Sequence, residues 1–269
     1  MPTLDEHVSN KYVKGAIIGD SGTGKTGALT SLVVAGYELY ILDMDNGLDS
    51  LKNYLRQSAP DRLSAVHYET IRDVYKMTAS GPLCLNPKAF IAASKLATTW
   101  TDGKDPSELG EKAIFVVDSG SALGKAALEW ARGMNPTAKE PRTWYFAAQQ
   151  AIENLIALWT SENFHCNFLF LTHISYQQVV EGPTKGYPST IGQALGPVIN
   201  RYFNTLLGME VRGIGTGAKR FIKTLPTGML DLKSPVLATD LPEEVPIDTG
   251  LATIFEVLKG GKLPAKPKK

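Results

Sequence analysis

Eight residues, Gly19 to Thr26 (GDSGTGKT), restrict what this chain can fold into more than any other stretch, because they satisfy GxxxxGK[ST] at every fixed position. Tyr12 to Ile18 (YVKGAII) before them predicts a strand, and Thr26 to Ala35 (TGALTSLVVA) after them predicts a helix. Strand, glycine loop and helix in that order build a cradle for phosphate. Gly19, Gly22 and Gly24 carry no Cβ, so several backbone N–H groups can close on an anion that also rests on the helix N-terminus. Lys25 can reach the β- and γ-phosphates of a triphosphate, and the Thr26 hydroxyl can ligate Mg2+. Asp20, Ser21, Thr23 and Gly27 complete the candidate binding segment. The competing reading, a glycine-rich turn followed by a surface lysine, does not explain the flanking strand and helix.

The 269 residues can bury one large core, and 43% hydrophobic with 20% charged residues suits an ordinary globular chain. Lys+Arg 28 against Asp+Glu 27 leaves a net charge of +1, so any nucleic-acid surface must be local. Cys84 and Cys166 are too few for a disulfide framework and lack metal-ligand spacing, which points to a reduced, cytoplasmic setting. MPTLDEHVSN carries no secretory pattern, and no apolar run is long enough to cross a bilayer, so no membrane partner is expected.

Residues 1–11 read as a polar arm. Leu39 to Leu42 is an apolar run that ends in Asp43 and Asp45, and Ser64 to Thr70 predicts a third strand. Residues 77–86 (MTASGPLCLN) read as a loop, after which Asn86 as N-cap and Pro87 open a helix to about Trp100. Ala113 to Ser119 (AIFVVDS) has the composition of a buried parallel strand, and it ends in Asp118. That acid either steadies a Mg2+ held by Thr26 or simply caps the next helix. Helices follow at Ser121 to Arg132 and Thr143 to Thr160, then a strand at Asn167 to Thr172 with His173 at its tip. His173 reads equally as a γ-phosphate sensor and as a structural residue. Residues 174–190 show no clear period and contain Gly182, Pro183, Gly186 and Pro188. A helix is expected from Gly192 to about Asn204, and a hairpin from Leu206 to Val211 and Lys219 to Leu225. Residues 226–250 read as extended chain, a last helix ends at Lys259, and 260–269 form a basic tail. Strands alternating with helices imply an α/β fold, a mostly parallel twisted sheet flanked by helices, in one domain over 12–259.

At this point a family resemblance becomes specific. ILDMDNGLDSL resembles the segment of RecA-type proteins in which the strand after the P-loop helix ends in an acid pair, the second acid activating the attacking water. On that match Asp45 stands where RecA has Glu. IFVVDSGSAL is similar to the RecA-type strand ending in VDS, and FLFLTH to the strand whose tip senses the γ-phosphate, with His173 where RecA has Gln. The order of the C-terminal elements resembles short RecA-like ATPases encoded by bacteriophages that act in single-strand annealing or recombination. The resemblance implies a P-loop NTPase of RecA type with a C-terminal β-hairpin extension. It implies Mg2+ and ATP as ligands, with adenine preferred, since no NKxD-type guanine reader is present. Lys25, Asp45 and His173 would be catalytic, and Thr26 and Asp118 would hold the metal. It further implies a homo-oligomer, ring or filament, a host-cytoplasmic setting, and single-stranded DNA as partner alongside a possible single-strand-binding protein.

In RecA-like proteins the loops after the two later strands touch DNA. Here these are about Arg132 to Arg142, with Lys139, and Tyr176 to Ser189, with Lys185 and Tyr187. Cations with aromatics suit single strands, although two solvated loops fit the same residues. The resemblance also makes Lys219, Arg220 and Lys223 candidates to reach a neighbouring subunit's γ-phosphate; exposed edge charges are the other reading. Three further functions stay open on the same core: a nucleotide-gated binding module with little hydrolysis, a small-molecule kinase, for which no Arg-rich lid is visible, and a helicase or packaging motor.

Overall fold

Four apolar runs in the sequence are uninterrupted because their strands are covered on both faces. In the computed structural model, which describes residues 11–79, 81–179 and 182–261, those runs are central strands. The chain begins with β1 (Lys14–Gly19), α1 (Lys25–Ala28), α2 (Thr30–Val34), β2 (Glu38–Asp43), α3 (Asp49–Ser58) and β3 (Val66–Thr70). There follow β4 (Tyr75–Thr78), β5 (Gly81–Cys84), α4 (Ala89–Leu96), β6 (Gly110–Asp118), α5 (Gly120–Met134), α6 (Pro141–Thr160) and β7 (Cys166–Thr172). The last part holds β8 (Ile174–Gln178), β9 (Thr184–Pro188), α7 (Leu195–Ile199), β10 (Thr205–Arg212), β11 (Lys219–Lys223), β12 (Glu244–Pro246) and α8 (Ile247–Leu258).

The main sheet runs β12-β11-β10-β1-β7-β6-β2-β3. From β10 to β3 every pairing is parallel, and β11 and β12 add an antiparallel C-terminal extension. With helices on both faces this is the mostly parallel, doubly covered α/β architecture expected from the sequence. Alternate residues of each strand enter opposite cores. Ile18, Leu42, Phe115, Val117, Phe168 and Phe170 pack under α4 to α7. Ile17, Leu39, Ile41, Val116, Leu169 and Leu171 pack under α1 to α3 and α8. Lys14 is a buried charge at the base of β1, where its Nζ donates to the carbonyls of Trp159, Phe164 and Cys166 at 3.1, 2.5 and 2.8 Å. Burial pushes its pKa down to about 8.

Several expected boundaries are corrected by tertiary contacts. Residues 77–86 are not a plain loop, since β4 and β5 pair as an antiparallel hairpin. Helix α4 opens at Ala89 rather than at Asn86 and ends at Leu96 rather than near Trp100. The Asp73 carboxylate accepts from the N–H groups of Lys88 and Ala89 and so caps that helix from outside it. Residues 174–190 contain the antiparallel pair β8 and β9. Only Leu195–Ile199 is helical within the helix expected over 192–204. Gly196 there packs so tightly that a Cβ would lie 2.7 Å from the Pro188 carbonyl oxygen. The first helix breaks at Leu29 into α1 and α2. The N-terminal arm, apart from Lys11, and tail residues 262–269 lie outside the described residues. Among the described residues no helix is long and apolar enough to cross a membrane.

Candidate active site

The C-terminal ends of β1, β2, β6 and β7 lie at one end of the sheet, and the polar residues that follow them converge there. The loop after β1 turns through Gly22 at φ 78° and Gly24 at φ 92°, a left-handed geometry that favours glycine. Gly19 is confined differently: a Cβ on it would meet Thr23 Oγ1 at 2.7 Å and Met209 Cβ at 2.8 Å. Thr23 Oγ1 donates to the Asp20 carbonyl at 2.8 Å and braces the turn. Lys25 Nζ folds back on the loop, donating to the carbonyls of Gly19 at 2.7 Å and Asp20 at 3.0 Å. The first-turn N–H groups of α1 have no acceptor within the helix, as at any helix N-terminus.

Thr26 Oγ1 donates to Asp118 Oδ2 at 2.6 Å, which joins the first helix to the tip of β6. Asp118 is buried, and burial pushes its pKa up to about 6, with Asp45 and Asp43 adding repulsion while the Thr26 hydrogen bond and Lys25 oppose it. Burial lowers the pKa of Lys25, and the nearby carboxylates of Asp118, Asp20 and Asp45 pull the other way. The two acids at the end of β2, Asp43 within it and Asp45 just after it, have different surroundings. Asp43 is buried and accepts from Thr70 Oγ1 at 2.9 Å and from the Gly47 N–H at 3.1 Å, so it fixes the loop. Asp45 is exposed and has no hydrogen-bond partner among the described residues. Its neighbour Asn46 takes φ 57°, which turns the chain sharply just after it. At the tip of β7, His173 Nδ1 lies 3.0 Å from Ser121 Oγ, which is also 3.1 Å from Thr172 Oγ1. Burial and Lys25 lower the pKa of His173, so the neutral ring is favoured near neutrality.

A cavity of about 340 Å³ brings Lys25, Thr26, Asp45, Asp118 and His173 together with Ser21, Gly22, Gly24 and Gly27. Asp20 lies just outside it, its carboxylate accepting from Tyr176 Oη at 3.5 Å. Among the described residues no group of three or more His, Cys, Asp or Glu side chains could hold a metal alone. One carboxylate and one hydroxyl already in contact still suit Mg2+, which keeps several waters and takes phosphate oxygens as ligands. A second cavity of about 370 Å³, between α3 and β3, is floored by Leu51, Leu55, Leu63 and Val66 and has no phosphate-binding loop.

Residues 11–236 match the model of an AAA domain family, AAA_24. The chain belongs to this AAA domain family. It is a P-loop ATPase domain. No curated protein sequence matches it. Among solved structures, the RadB recombinase is similar at 15% identity and TM-score 0.48, with 79% of this chain and 80% of that one covered. A KaiC-like protein from Pyrococcus horikoshii OT3 is similar at 10% identity and TM-score 0.44, covering 86% and 84%. The flagellar accessory protein FlaH from Methanocaldococcus jannaschii shows 16% identity and TM-score 0.43, covering 88% and 86%.

Two further residues of this AAA domain, Tyr54 and Ser50, face the cavity without a motif to mark them. Tyr54 on α3 covers Gly27 so closely that a Cβ there would lie 2.7 Å from the ring, and Ser50 lies one turn earlier. Arg220 on β11 donates from Nε to the Gly22 carbonyl at 3.2 Å, against its own P-loop. Lys223 is held by Glu244 at 2.6 Å, with Glu210 and Glu243 nearby, whereas Lys219 is exposed. Ser121 was equally unmarked, being one of several serines around a helix start.

The expected DNA loops are shorter than their sequence spans. Arg132 is the last turn of α5, paired with Glu129 at 3.1 Å and 5.7 Å from the Trp144 ring, and Arg142 is in the first turn of α6. Lys139 lies in the connection between them, and both it and Arg142 are exposed. In the hairpin after β7, Tyr176 is 45% exposed, Tyr187 is half-buried, and Lys185 is paired with Asp231 at 2.5 Å.

Proposed function

We propose that this AAA domain binds and hydrolyses Mg·ATP in an assembly that acts on single-stranded DNA, in recombination or annealing of the phage type. The observation that carries the hydrolytic reading is the contact of Thr26 with Asp118 in one cavity with Lys25, Asp45 and His173. The loop amides and Lys25 bind the β- and γ-phosphates, which requires Lys25 to leave the Gly19 and Asp20 carbonyls for stronger, charged acceptors. Thr26 and Asp118 hold Mg2+, which when bound neutralises charge developing on the phosphate oxygens. Asp45, which has no hydrogen-bond partner among the described residues, accepts a hydrogen bond from the attacking water and orients it. His173, steadied by Ser121, donates to the γ-phosphate and reports its loss to β8 and β9. Arg220 contributes its positive charge from the same chain, and Lys219 is the cation left to reach a neighbouring subunit. A strand bound on Lys139, Arg142 and Tyr176 would lie at the same end of the sheet as the nucleotide.

Asp45 is a carboxylate one methylene shorter than the Glu of RecA, and this favours a second reading, a nucleotide-gated binding module with marginal turnover. Steady-state ATP hydrolysis with and without single-stranded DNA, at low and high salt, separates the two. Stimulation that fades at high salt is the expected result. Measurable ATP affinity with turnover that no strand raises would select the binding module and overturn the DNA-stimulated enzyme.

A further inference from the structure

The acid that faces the nucleotide cavity also forms a wall of another cavity, about 380 Å³, on its far side. That size is within the range of small-ligand sites. The chain after β3 supplies Ile71 and Arg72, β4 supplies Tyr75, and the first turns of α5 supply Ser121, Ala122 and Lys125. Arg72 and Lys125 are exposed cations, and neither is ion-paired among the described residues. Of the acids around them, Asp45 has no hydrogen-bond partner among the described residues, and the other two are engaged elsewhere. Asp73 is bonded to the backbone N–H groups of Lys88 and Ala89 at 2.8 and 2.9 Å, and Glu129 takes Arg132 at 3.1 Å and the Tyr75 hydroxyl at 3.4 Å. Tyr75 is thereby held in place with Lys125 Nζ 4.9 Å from its ring centroid, yet the side chain stays 40% exposed. Val74 at 71% and Met77 at 82% exposed continue an apolar surface outward from it.

Two cations without an ion-pair partner among the described residues, facing the single carboxylate of Asp45 across the cavity wall and beside a fixed, accessible ring, match a phosphate joined to a base. We propose that this cavity is a second ligand site that takes a nucleotide unit of a single polynucleotide strand, with Arg72 and Lys125 on a phosphate and Tyr75 against a base. It rests on the strand-binding reading above and lies apart from the two loops named there. Its walls reach the hydrolytic site twice, through Asp45 and through Ser121, whose hydroxyl is 3.0 Å from His173 Nδ1. A strand phosphate seated here alters the field at Asp45 and the setting of His173, which gives the strand a route to the hydrolysis rate.

The test is fluorescence anisotropy of a labelled oligothymidylate over a salt series, with the full chain and saturating ATP analogue. Wild type is compared with Arg72→Ala/Lys125→Ala, Arg72→Lys/Lys125→Arg and Tyr75→Ala. The double alanine variant is expected to bind at least about tenfold more weakly, with a salt slope shallower by about 1.4, two phosphate contacts at about 0.7 each. The charge-conserving pair should keep the slope, and Tyr75→Ala should weaken binding about five- to a hundredfold without changing it. ATP affinity should be unchanged in all three. A double alanine variant with wild-type affinity and slope overturns this site while leaving the strand reading intact. A wild-type chain that binds no oligonucleotide overturns both. Thymidine monophosphate displacing the strand at an equal concentration of nucleotide units would show a free-nucleotide site and overturn the assignment to a strand.

Discussion

Asp118 shows how the site opposes the fold that carries it. An ionised carboxylate at the buried tip of β6 faces Asp43 and Asp45, and among the described residues its one side-chain hydrogen bond comes from Thr26. Because its pKa is raised from 3.8 to about 6, the folded state binds this proton more tightly than the unfolded state. Stability from this group therefore falls as pH rises from about 4 to about 6, and the deficit is complete above that. Two pKa units correspond to about 3 kcal/mol. Asp118→Asn should accordingly raise the melting temperature of the nucleotide-free protein at pH 7.5, by roughly 2–4 °C per kcal/mol relieved, while abolishing hydrolysis. Differential scanning fluorimetry at pH 7.5 and pH 5 checks it, and the gap between variant and wild type should narrow at the lower pH. That Lys25 and Thr26 would share one cavity was legible because the phosphate-loop motif fixes residue type and spacing, whereas Asp118 was legible only as an acid at the end of a buried strand. Ser121 and Tyr54 were not, since each reaches the cavity from a separate element and no local pattern distinguishes a serine or tyrosine that does so, and Arg220 was read as a cation for a neighbouring subunit rather than for its own P-loop.

Helix α5 is placed by two glycines one turn apart. A Cβ on Gly120 would overlap the Phe170 ring on β7, and one on Gly124 would overlap the Thr190 carbonyl, so the helix lies unusually near both. Its first turn carries Ser121, hence this close approach also positions His173. The Thr190 contact is with backbone, which cannot swing aside as a flexible side chain can. Gly124→Ala should therefore destabilise by about 1–3 kcal/mol, and urea unfolding should show it. The same substitution should reduce ATP turnover more than ATP affinity, because Lys25 and Thr26 stand on other elements. The buried strands β1, β2, β6 and β7 could be read from their continuous apolar runs. The hairpin of β4 and β5 could not, because Met77 and Leu83 are 82% and 51% exposed and no inward face imposes a period of two. Helix α4 began late for a related reason, its cap Asp73 lying before the hairpin rather than beside the helix.

For the whole molecule, the sheet order puts β7 between β1 and β6, so His173 stands between the P-loop and Asp118 while Asp45 closes the cavity from β2. The antiparallel extension returns β11 to the P-loop, where Arg220 lies against Gly22 within one chain. The cavity thus brings together, within one chain, the residues proposed for binding, metal ligation and water orientation, while Lys219 stays exposed on β11. The most direct measurement compares ATP binding and steady-state hydrolysis for wild type, Lys25→Ala and Asp45→Asn. Lys25→Ala should lose both binding and turnover. Asp45→Asn should keep ATP affinity within a few-fold and lose turnover by about a hundredfold or more, the range typical of removing a group that activates the nucleophile. Hydrolysis by Lys25→Ala or Asp45→Asn at the wild-type rate would contradict the account.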